Sequence, residues 1–300
     1  MDTLLKKYFD YLINEKKLSA NTFESYKRDV FGYAEYLESI NCPNITDAGT
    51  TLILNYLLSI QKKGKSTATA SRALSSIRSL YKFLQQKGYI STNPTHNLHN
   101  FKAEKKLPMW LSDFQVDILL DSPVCRNIKG YRDKAMLEIL YATGIKATEL
   151  INLRVSDVNL KIGFIYSRSV GKEHIIPIYA YARDCVQDYI EKRSSIPNSD
   201  KTDVLFLNRD GQPLSRQGLW KIIKTYQKKS GLPNGVTPHT LRHSFAVNLL
   251  ENGADLKSVQ EMLGHTNITS TQVYERVINN KLSEVYANSH PRSKHKNKPV

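Results

Sequence analysis

The stretch of residues 237–277 reads TPHTLRHSFAVNLLENGADLKSVQEMLGHTNITSTQVYERV. It carries His239 and Arg242 three residues apart, then His265 after a glycine, and then its one tyrosine, Tyr274. Residues three apart on a helix share a face, and the proline before His239 is typical of the first position of a helix. We therefore expect a helix that begins at this proline and presents His239 and Arg242 together.

These four side chains have the chemistry needed to cut a phosphodiester. Such a reaction needs cations for the non-bridging oxygens, a nucleophile in line and an acid for the leaving oxygen. The planar fork of Arg242 suits two phosphate oxygens at once. The phenol of a tyrosine has an ordinary pKa of ~10, so neighbouring cations must lower the cost of deprotonating Tyr274. The ordered set predicts an enzyme that cuts and rejoins DNA through a phosphotyrosine bond.

Each of these residues also has an ordinary interpretation. Most of the 17 tyrosines of the chain are expected to pack in the interior, and His265 is also a plausible hydrogen-bonding residue at a helix end. His239 and His243 stand four apart, a spacing that can bind zinc on a helix. However, the zinc-protease pattern requires a glutamate where Thr240 stands, and Arg242 would repel the metal. We therefore expect no metal site.

The composition indicates a partner that is a polyanion. The chain has 43 Lys and Arg against 28 Asp and Glu, a formal net charge of +15. Such an excess favours nucleic acid, with an anionic membrane surface as the competing partner. The longest apolar run, residues 51–60, is about half of the ~20 residues that span a bilayer. No signal peptide is recognised at the N-terminus, and the cysteines are too few and too widely spaced for a disulfide framework, so we expect a cytoplasmic, nucleoid-associated protein without membrane contact. These cysteines are Cys42, Cys125 and Cys185.

The first hundred residues are predicted to be helical. Ser19 suits an N-cap, and apolar residues follow it at helical spacing from 26 to 37. We expect further helices over residues 50–61 and from Ser66 to Lys87, and we expect the second to carry Leu74, Ile77, Leu80, Tyr81 and Leu84 on its inward face. A polar stretch at 100–108 has the composition of a linker between domains.

Within this half, residues 51–100 contain no Asp or Glu. On the predicted helix from Ser66, Arg72, Ser75, Ser79 and Lys82 recur at three- and four-residue steps and therefore share one face. Most charged faces only contact solvent, but the absence of acids over this length favours a surface that faces DNA. The residues predicted to bind DNA are Lys62, Lys63, Lys65, Arg72, Ser75, Arg78 and Lys82.

The second half is predicted to combine helices with a small antiparallel sheet. Helices are expected over residues 131–141 and 147–153. Residues 164–166 and 174–178 are expected to form the two strands of a hairpin. The rest is predicted to be helical to about residue 284, followed by a basic tail.

The chain closely resembles the tyrosine recombinases, and within them it is most similar to the Xer chromosome-resolution branch. The resemblance covers nearly the whole chain. It is carried by the runs TPHTLRHSFA at 237–246, LLENGAD at 249–255, LGH at 263–265, TQVY at 271–274, LSANT at 18–22 and SRALS at 71–75.

The resemblance implies a helical, SAM-like core-binding domain over residues 1–102, a linker over 103–109 and a catalytic domain over 110–300. The catalytic domain is expected to be mixed α/β and mainly helical, and its C-terminal helix is expected to pack into a neighbouring protomer. It implies that Tyr274 attacks the scissile phosphate and leaves a 3′-phosphotyrosine and a free 5′-hydroxyl. Arg242, His239 and His265 would hold the phosphate.

The resemblance also implies the cofactors and partners. Neither ATP nor a metal is required, because the phosphotyrosine conserves the energy of the broken bond. The expected partners are double-stranded DNA, a tetramer formed with itself or with a paralogous recombinase, and a protein activator.

The chain departs from the family pattern at the first catalytic arginine. The family has Gly-x-Arg-x-x-Glu-Leu, whereas this chain has Gly144-Ile145-Lys146-Ala147-Thr148-Glu149-Leu150. A lysine keeps the charge but contacts one oxygen instead of clamping two. We expect Lys146 to serve as a catalytic cation and Glu149 to orient it, although Glu149 is also an ordinary helix carboxylate.

The hairpin is a second departure, because it is about one residue short. The resemblance implies a lysine here that protonates the leaving 5′-oxygen, and we assign this role to Lys172, with Arg168 as the alternative cation. A lysine among positive neighbours has a lowered pKa, which suits a proton donor.

Three functions stay open at this point. The first is an active site-specific recombinase that resolves chromosome dimers. The second is a catalytically silent DNA-binding partner in a heterotetramer, which Lys146 and the short hairpin favour and the presence of Tyr274 opposes. The third is a simple mobile-element integrase of the same family.

Overall fold

The computed structural model describes residues 2–99, 108–169, 172–264 and 274. The chain divides into two compact units, residues 1–105 and 106–300. Each unit has its own core of buried apolar side chains. Within the described ranges, no helix has the length and apolar character needed to cross a membrane.

Over residues 2–99, the first unit has four α-helices and one 3₁₀ turn, Ile45–Asp47. The α-helices are α1 (Asp2–Asn14), α2 (Ala20–Ser39), α3 (Thr50–Lys62) and α4 (Thr67–Gln86). The side chains of Ser19 and Ser66 accept hydrogen bonds from the backbone N–H groups of Thr22 and Thr69, and so cap α2 and α4. The predicted helical character of this half and the predicted starts of α2, α3 and α4 are confirmed, whereas α1 was not predicted as a separate helix.

The core of this unit is lined by the faces that the apolar spacing predicted. The α4 residues expected to point inward are all fully buried, and they meet buried residues of α2. A hydrogen-bonded pair lies at the centre, where the hydroxyls of Tyr33 and Tyr81 are 2.9 Å apart and Tyr81 also donates to the carbonyl of Ile45. These bonds satisfy two polar groups inside an apolar core. The buried α4 residues are Leu74, Ile77, Leu80, Tyr81 and Leu84.

The second unit surrounds a small sheet with seven helices in its described part. The strands are β1 (Val158–Asn159), β2 (Phe164–Ser169) and β3 (Lys172–Pro177). The helices are α5 (Asp113–Asp121), α6 (Ile128–Thr143), α7 (Ala147–Asn152), α8 (Ala180–Arg193), α9 (Arg216–Lys229), α10 (Pro238–Glu251) and α11 (Leu256–Met262). The mixed, mainly helical class is as predicted.

The sheet is antiparallel in the order β1-β2-β3. Ile165 pairs with Ile176, and both are buried against the core, whereas Ser169 pairs with Lys172 at the end of the hairpin. The predicted hairpin is therefore confirmed, with strands longer than the sequence indicated. The short β1 was not predicted, because two residues are too few to produce an alternating pattern.

The prediction that the chain is helical after the hairpin is wrong for residues 194–215. This segment has one 3₁₀ turn and two isolated β-bridges. Part of its backbone is satisfied by Arg193, whose guanidinium donates to four carbonyl oxygens at 2.7–3.2 Å. One side chain thus supplies four of the hydrogen bonds that a helix or sheet would otherwise provide. The four carbonyls are those of Ser199, Thr202, Val204 and Leu205.

Helix α6 runs through the core and ends at Gly144, which has a left-handed conformation with φ +58°. The space beside this glycine is closed, because an added Cβ would lie 2.5 Å from Phe245 Cδ1 and 2.9 Å from Leu263 Cδ2. A glycine is therefore required here for its conformation and for the close approach of α10 and the end of α11. The same glycine precedes Lys146 by two residues.

We expect Gly144→Ala to lower the free energy of unfolding of this unit by about 3 kcal/mol, from left-handed strain plus the clash with Phe245 and Leu263. The matched control is Gly231→Ala, because Gly231 has φ +64° and nothing within 4 Å of an added Cβ. That change should cost only about 1 kcal/mol. Both tryptophans, Trp110 and Trp220, lie in this unit, so denaturant titration followed by fluorescence reports its unfolding. Equal losses in the two variants would contradict the steric argument.

Candidate active site

Helix α10 begins as the sequence predicted. Thr237 is the N-cap, its side chain and that of Thr240 each accept the other's backbone N–H, and Pro238 occupies the first turn. His239 is exposed at this start, whereas Arg242 is only 5% exposed. The two side chains therefore share the N-terminal part of α10 but differ in their access to solvent.

Two backbone carbonyls hold the guanidinium of Arg242. Nη1 donates to the carbonyl of Gly144 at 2.5 Å, and Nη2 donates to the carbonyl of Leu263 at 2.7 Å. Arg242 therefore ties the end of α6 to the end of α11. Burial lowers the pKa of Arg242, while the nearby carboxylate of Glu149 opposes this change. The result is a buried cation whose position is fixed by main-chain atoms.

Tyr274 lies next to this cation. Its ring is 2% exposed and packs in an apolar cluster with Phe245, Val259 and Leu263. Burial raises the pKa of the Tyr274 phenol, and the charge of Arg242 opposes this effect. Among the four residues on which the sequence argument depended, the structure thus brings Arg242 and Tyr274 together.

The hydroxyl of Tyr274 contacts His243, which the sequence analysis considered only as a zinc ligand. His243 Nδ1 and Tyr274 Oη are 2.8 Å apart. Burial lowers the pKa of His243 to about 4, assisted by the positive charges of His239 and Arg242. The imidazole is therefore neutral at any physiological pH in this arrangement. The sequence signal was the four-residue spacing from His239, which predicts a shared helix face.

Lys146 and Glu149 form a local pair at the start of α7. Lys146 Nζ lies 3.3 Å from Glu149 Oε1, and the backbone N–H of Lys146 donates to Glu149 Oε2 at 2.9 Å. Glu149 is nearly buried and Lys146 is half exposed. The carboxylate therefore holds Lys146 at the end of the loop whose first carbonyl, that of Gly144, binds Arg242.

A cleft of about 440 Å³ extends from this pair toward the sheet. On its far side, Arg168 Nη2 lies 2.8 Å from the buried Asp157 Oδ1. Ser167 is also part of the lining, and its buried hydroxyl has no hydrogen-bond partner within the described residues. Arg168, the alternative cation of the hairpin, is therefore already paired with a carboxylate. The lining comprises Lys146, Thr148, Glu149, Asn152, Leu153, Arg154, Asp157, Tyr166, Ser167 and Arg168.

Several predicted features lie outside the described residues. They are His265, the C-terminal helix, the basic tail and most of the linker. The backbone of Lys172 is described as the first residue of β3, but its side chain is not. Its backbone position at the tip of the hairpin is the one that the sequence assigned.

The predicted DNA-binding residues of the first unit differ in their surroundings. Arg72 donates to both carboxylate oxygens of the buried Asp29, at 2.8 and 3.0 Å, and Ser76 donates to the same carboxylate. Arg78 donates to the carbonyl of Leu98. Both arginines thus have structural contacts that the sequence did not predict. Lys62, Lys63, Lys65 and Lys82 are exposed, and Ser75 is partly exposed.

A second basic surface, on α9, was missed. No Asp or Glu occurs between residues 211 and 250, the same signal that identified residues 51–100. Arg216, Trp220, Lys224 and Lys228 are exposed at four-residue spacing on α9, and Lys224 Nζ lies 4.6 Å from the centre of the Trp220 ring. We call these four residues the α9 basic row. An aromatic ring among cations is a frequent arrangement at nucleic-acid surfaces.

Comparison with known proteins places this geometry in a family. Residues 109–281 match the model of the phage integrase family, and residues 5–88 match the model of the phage integrase N-terminal SAM-like domain. The tyrosine recombinase XerD of Oceanobacillus iheyensis is 43% identical over 98% of this chain and all of its own length. XerD of Staphylococcus epidermidis is 42% identical with the same coverage.

Among solved structures, the fold is similar to that of the XerH site-specific recombinase bound to its difH substrate. The TM-score is 0.77, with 24% sequence identity over 88% of this chain and 79% of that one. The resemblance stated from the sequence motifs is confirmed. The chain therefore belongs to the phage integrase family and is a tyrosine recombinase, similar to XerD over nearly its whole length.

Proposed function

We propose that the protein cuts and rejoins DNA at a specific site with Tyr274 as the nucleophile. The Tyr274 oxygen forms a bond to phosphorus, the bond to the 5′-oxygen breaks, and a 3′-phosphotyrosine and a 5′-hydroxyl result. The observation that carries this proposal is the placement of Tyr274 beside the buried cation Arg242. A cation fixed in this way stabilises charge on a phosphate without reorganising during the reaction.

The other assignments follow from position. We assign His239 and His265 to the non-bridging oxygens and Lys172 to protonation of the leaving oxygen. Lys146 supplies a further positive charge, which Glu149 orients through the 3.3 Å contact. Metal ions and nucleotides have no part in this proposal, because the phosphotyrosine keeps the energy of the broken bond.

For DNA binding we propose two surfaces, one on each unit. The first comprises the exposed lysines at 62, 63, 65 and 82 with Ser75, while Arg72 and Arg78 would shape it as well as contribute charge. The second is the α9 basic row. Both belong to stretches without acidic residues, so each presents a field of one sign to the phosphate backbone.

The biological role that we propose is resolution of chromosome dimers before cell division, which is inferred from the similarity to XerD. Such a role requires a tetramer on DNA, formed with itself or with a paralogue, and an activating protein. It also implies that the protein works in the cytoplasm, on the nucleoid.

A second candidate function is that of a silent partner that binds DNA but does not cut it. Lys146 favours this function, because its single ammonium group is engaged by Glu149 and lacks the fork of an arginine. The burial of Tyr274 is consistent with it too. The next two experiments separate the two candidates.

A nicked duplex that carries the host's resolution site should trap a covalent adduct that survives denaturant. Tyr274→Phe should abolish the adduct and leave DNA binding intact, because only the nucleophilic oxygen is lost. Tyr141→Phe is the matched control, since Tyr141 is a half-buried tyrosine that packs against the same apolar cluster. A wild-type protein that binds this duplex without forming an adduct would support the silent partner.

Lys146→Arg should raise the rate of adduct formation about tenfold, and Lys146→Ala should lower it by at least as much. An arginine can keep the contact with Glu149 while its second nitrogen reaches a phosphate oxygen, and one such donor is worth on the order of 10²–10³ in rate. Single-turnover kinetics on the nicked duplex measure both variants. Equal rates of adduct formation with Lys, Arg and Ala at position 146 would show that this residue does not contribute to catalysis.

The α9 basic row should contribute to the salt dependence of DNA binding. For Lys224→Gln combined with Lys228→Gln, we expect the slope of log Kd against log salt to fall by about 2, one for each lost phosphate contact. The double variant Lys161→Gln and Lys201→Gln makes the same charge change at exposed lysines outside α9. Fluorescence anisotropy across salt concentrations measures the slopes. The same slope in both double variants would show that α9 makes no special contribution.

A further inference from the structure

The hydroxyl of Tyr274 has one hydrogen-bond partner within the described residues, and it is His243. The distance between Nδ1 and Oη is 2.8 Å, and the two ring centres are 5.5 Å apart at 59°. Neither of the other two charged side chains near the start of α10 takes this position. His239 is exposed, and the guanidinium of Arg242 donates to the carbonyls of Gly144 and Leu263.

We propose that His243 is a catalytic residue that accepts the proton of Tyr274 when its oxygen attacks the scissile phosphate. This inference rests on the proposed function and extends it to the activation of the nucleophile. In the forward step the Oη–H proton moves to Nδ1 as the Oη–P bond forms and the P–O5′ bond breaks. The leaving 5′-oxygen takes its proton from the separate acid, assigned above to Lys172. In the reverse step the imidazolium returns the proton to the tyrosine.

The electrostatics of the contact explain why the tyrosine does not ionise before DNA binds. Burial lowers the pKa of His243 to about 4, and the neighbouring side chains of His239 and Arg242 on α10 add to this shift. Burial raises the pKa of Tyr274, which only the charge of Arg242 opposes. Because the pKa of His243 is lowered and that of Tyr274 is raised, the proton stays on the phenol. The imidazole accepts the hydrogen bond at Nδ1 and carries its own proton on Nε2.

A scissile phosphate would change this balance. Its negative charge, placed near Arg242, would offset part of the electrostatic contribution to the low pKa of His243, whereas burial, the larger cause, would remain. The pKa of His243 then rises from its depressed value, so the imidazole becomes a stronger proton acceptor and remains neutral at cellular pH. The nucleophile is thus activated by the substrate itself.

The test is single-turnover adduct formation on the nicked duplex between pH 6 and 9, with wild type, His243→Gln and His239→Gln. A glutamine can bond to the phenol but cannot take its proton. We expect His243→Gln to bind DNA normally and to react about 10²–10⁴-fold more slowly. Its rate should rise nearly tenfold per pH unit, because the phenolate must then form by equilibrium with the solvent.

The rate of wild type should be almost independent of pH, since its proton acceptor, His243, is neutral between pH 6 and 9. His239→Gln should react slowly but keep the wild-type pH profile.

Asn248→Ala is the matched control for packing. Asn248 lies one turn further along α10 and donates to the hydroxyl of another tyrosine, Tyr141, at 3.1 Å. Its loss should leave the rate and the pH profile close to those of wild type. In a second readout, 3-fluorotyrosine at position 274, a more acidic phenol, should restore part of the rate of His243→Gln.

The outcomes separate this inference from the proposed function. If wild type forms an adduct that Tyr274→Phe abolishes, but His243→Gln keeps the wild-type pH profile or gains nothing from fluorotyrosine, His243 is not the proton acceptor. If wild type forms no adduct, both proposals fail. A steep pH profile in His243→Gln alone would support the proton transfer.

Discussion

The guanidinium of Arg242 is the contact on which the rest of the candidate active site depends. By binding the carbonyls at the end of α6 and at the end of α11, it joins two segments that are far apart in sequence. Lys146 and Glu149 follow directly from the first segment, and Tyr274 packs near the second. Burying an arginine costs several kcal/mol unless its donors are satisfied. The carbonyls of Gly144 and Leu263 therefore stabilise the buried cation, and the cation in turn fixes the positions of these two carbonyls.

This arrangement shows why a protein can hold strong positive charge beside a phenol and remain unreactive without DNA. Burial raises the pKa of the phenol and lowers the pKa of its partner imidazole, while the neighbouring charge of Arg242 lowers both. A phosphate would add negative charge beside Arg242. Charge neutralisation and nucleophile activation are then one event, which restricts the reaction to sites where a phosphodiester is correctly placed.

Much of this could be predicted from the sequence, because helix faces and short motifs depend on neighbours in the chain. The spacing on α4 predicted its buried face, and the proline at the start of α10 predicted where Arg242 would be presented. Contacts between distant residues could not be predicted in this way. Arg72 meets Asp29 from 43 positions away, and His243 meets Tyr274 from 31 positions away, so periodicity contains no information about either. The non-helical segment after α8 was missed because one arginine and contacts with distant residues hold it, and neither produces a repeating pattern.

That arginine has a wider consequence. Because Arg193 holds four carbonyls from a single point, the path of the chain after α8 depends on main-chain oxygens, on one side chain of the preceding helix and on the buried Leu205, Phe206 and Leu207. The outward-facing side chains of this segment are therefore largely uncoupled from its shape. Such a segment can exchange its surface residues in the course of evolution while the starting point of α9 stays where it is. The backbone path of residues 194–215 and the side chains on its surface can thus change at different rates during evolution.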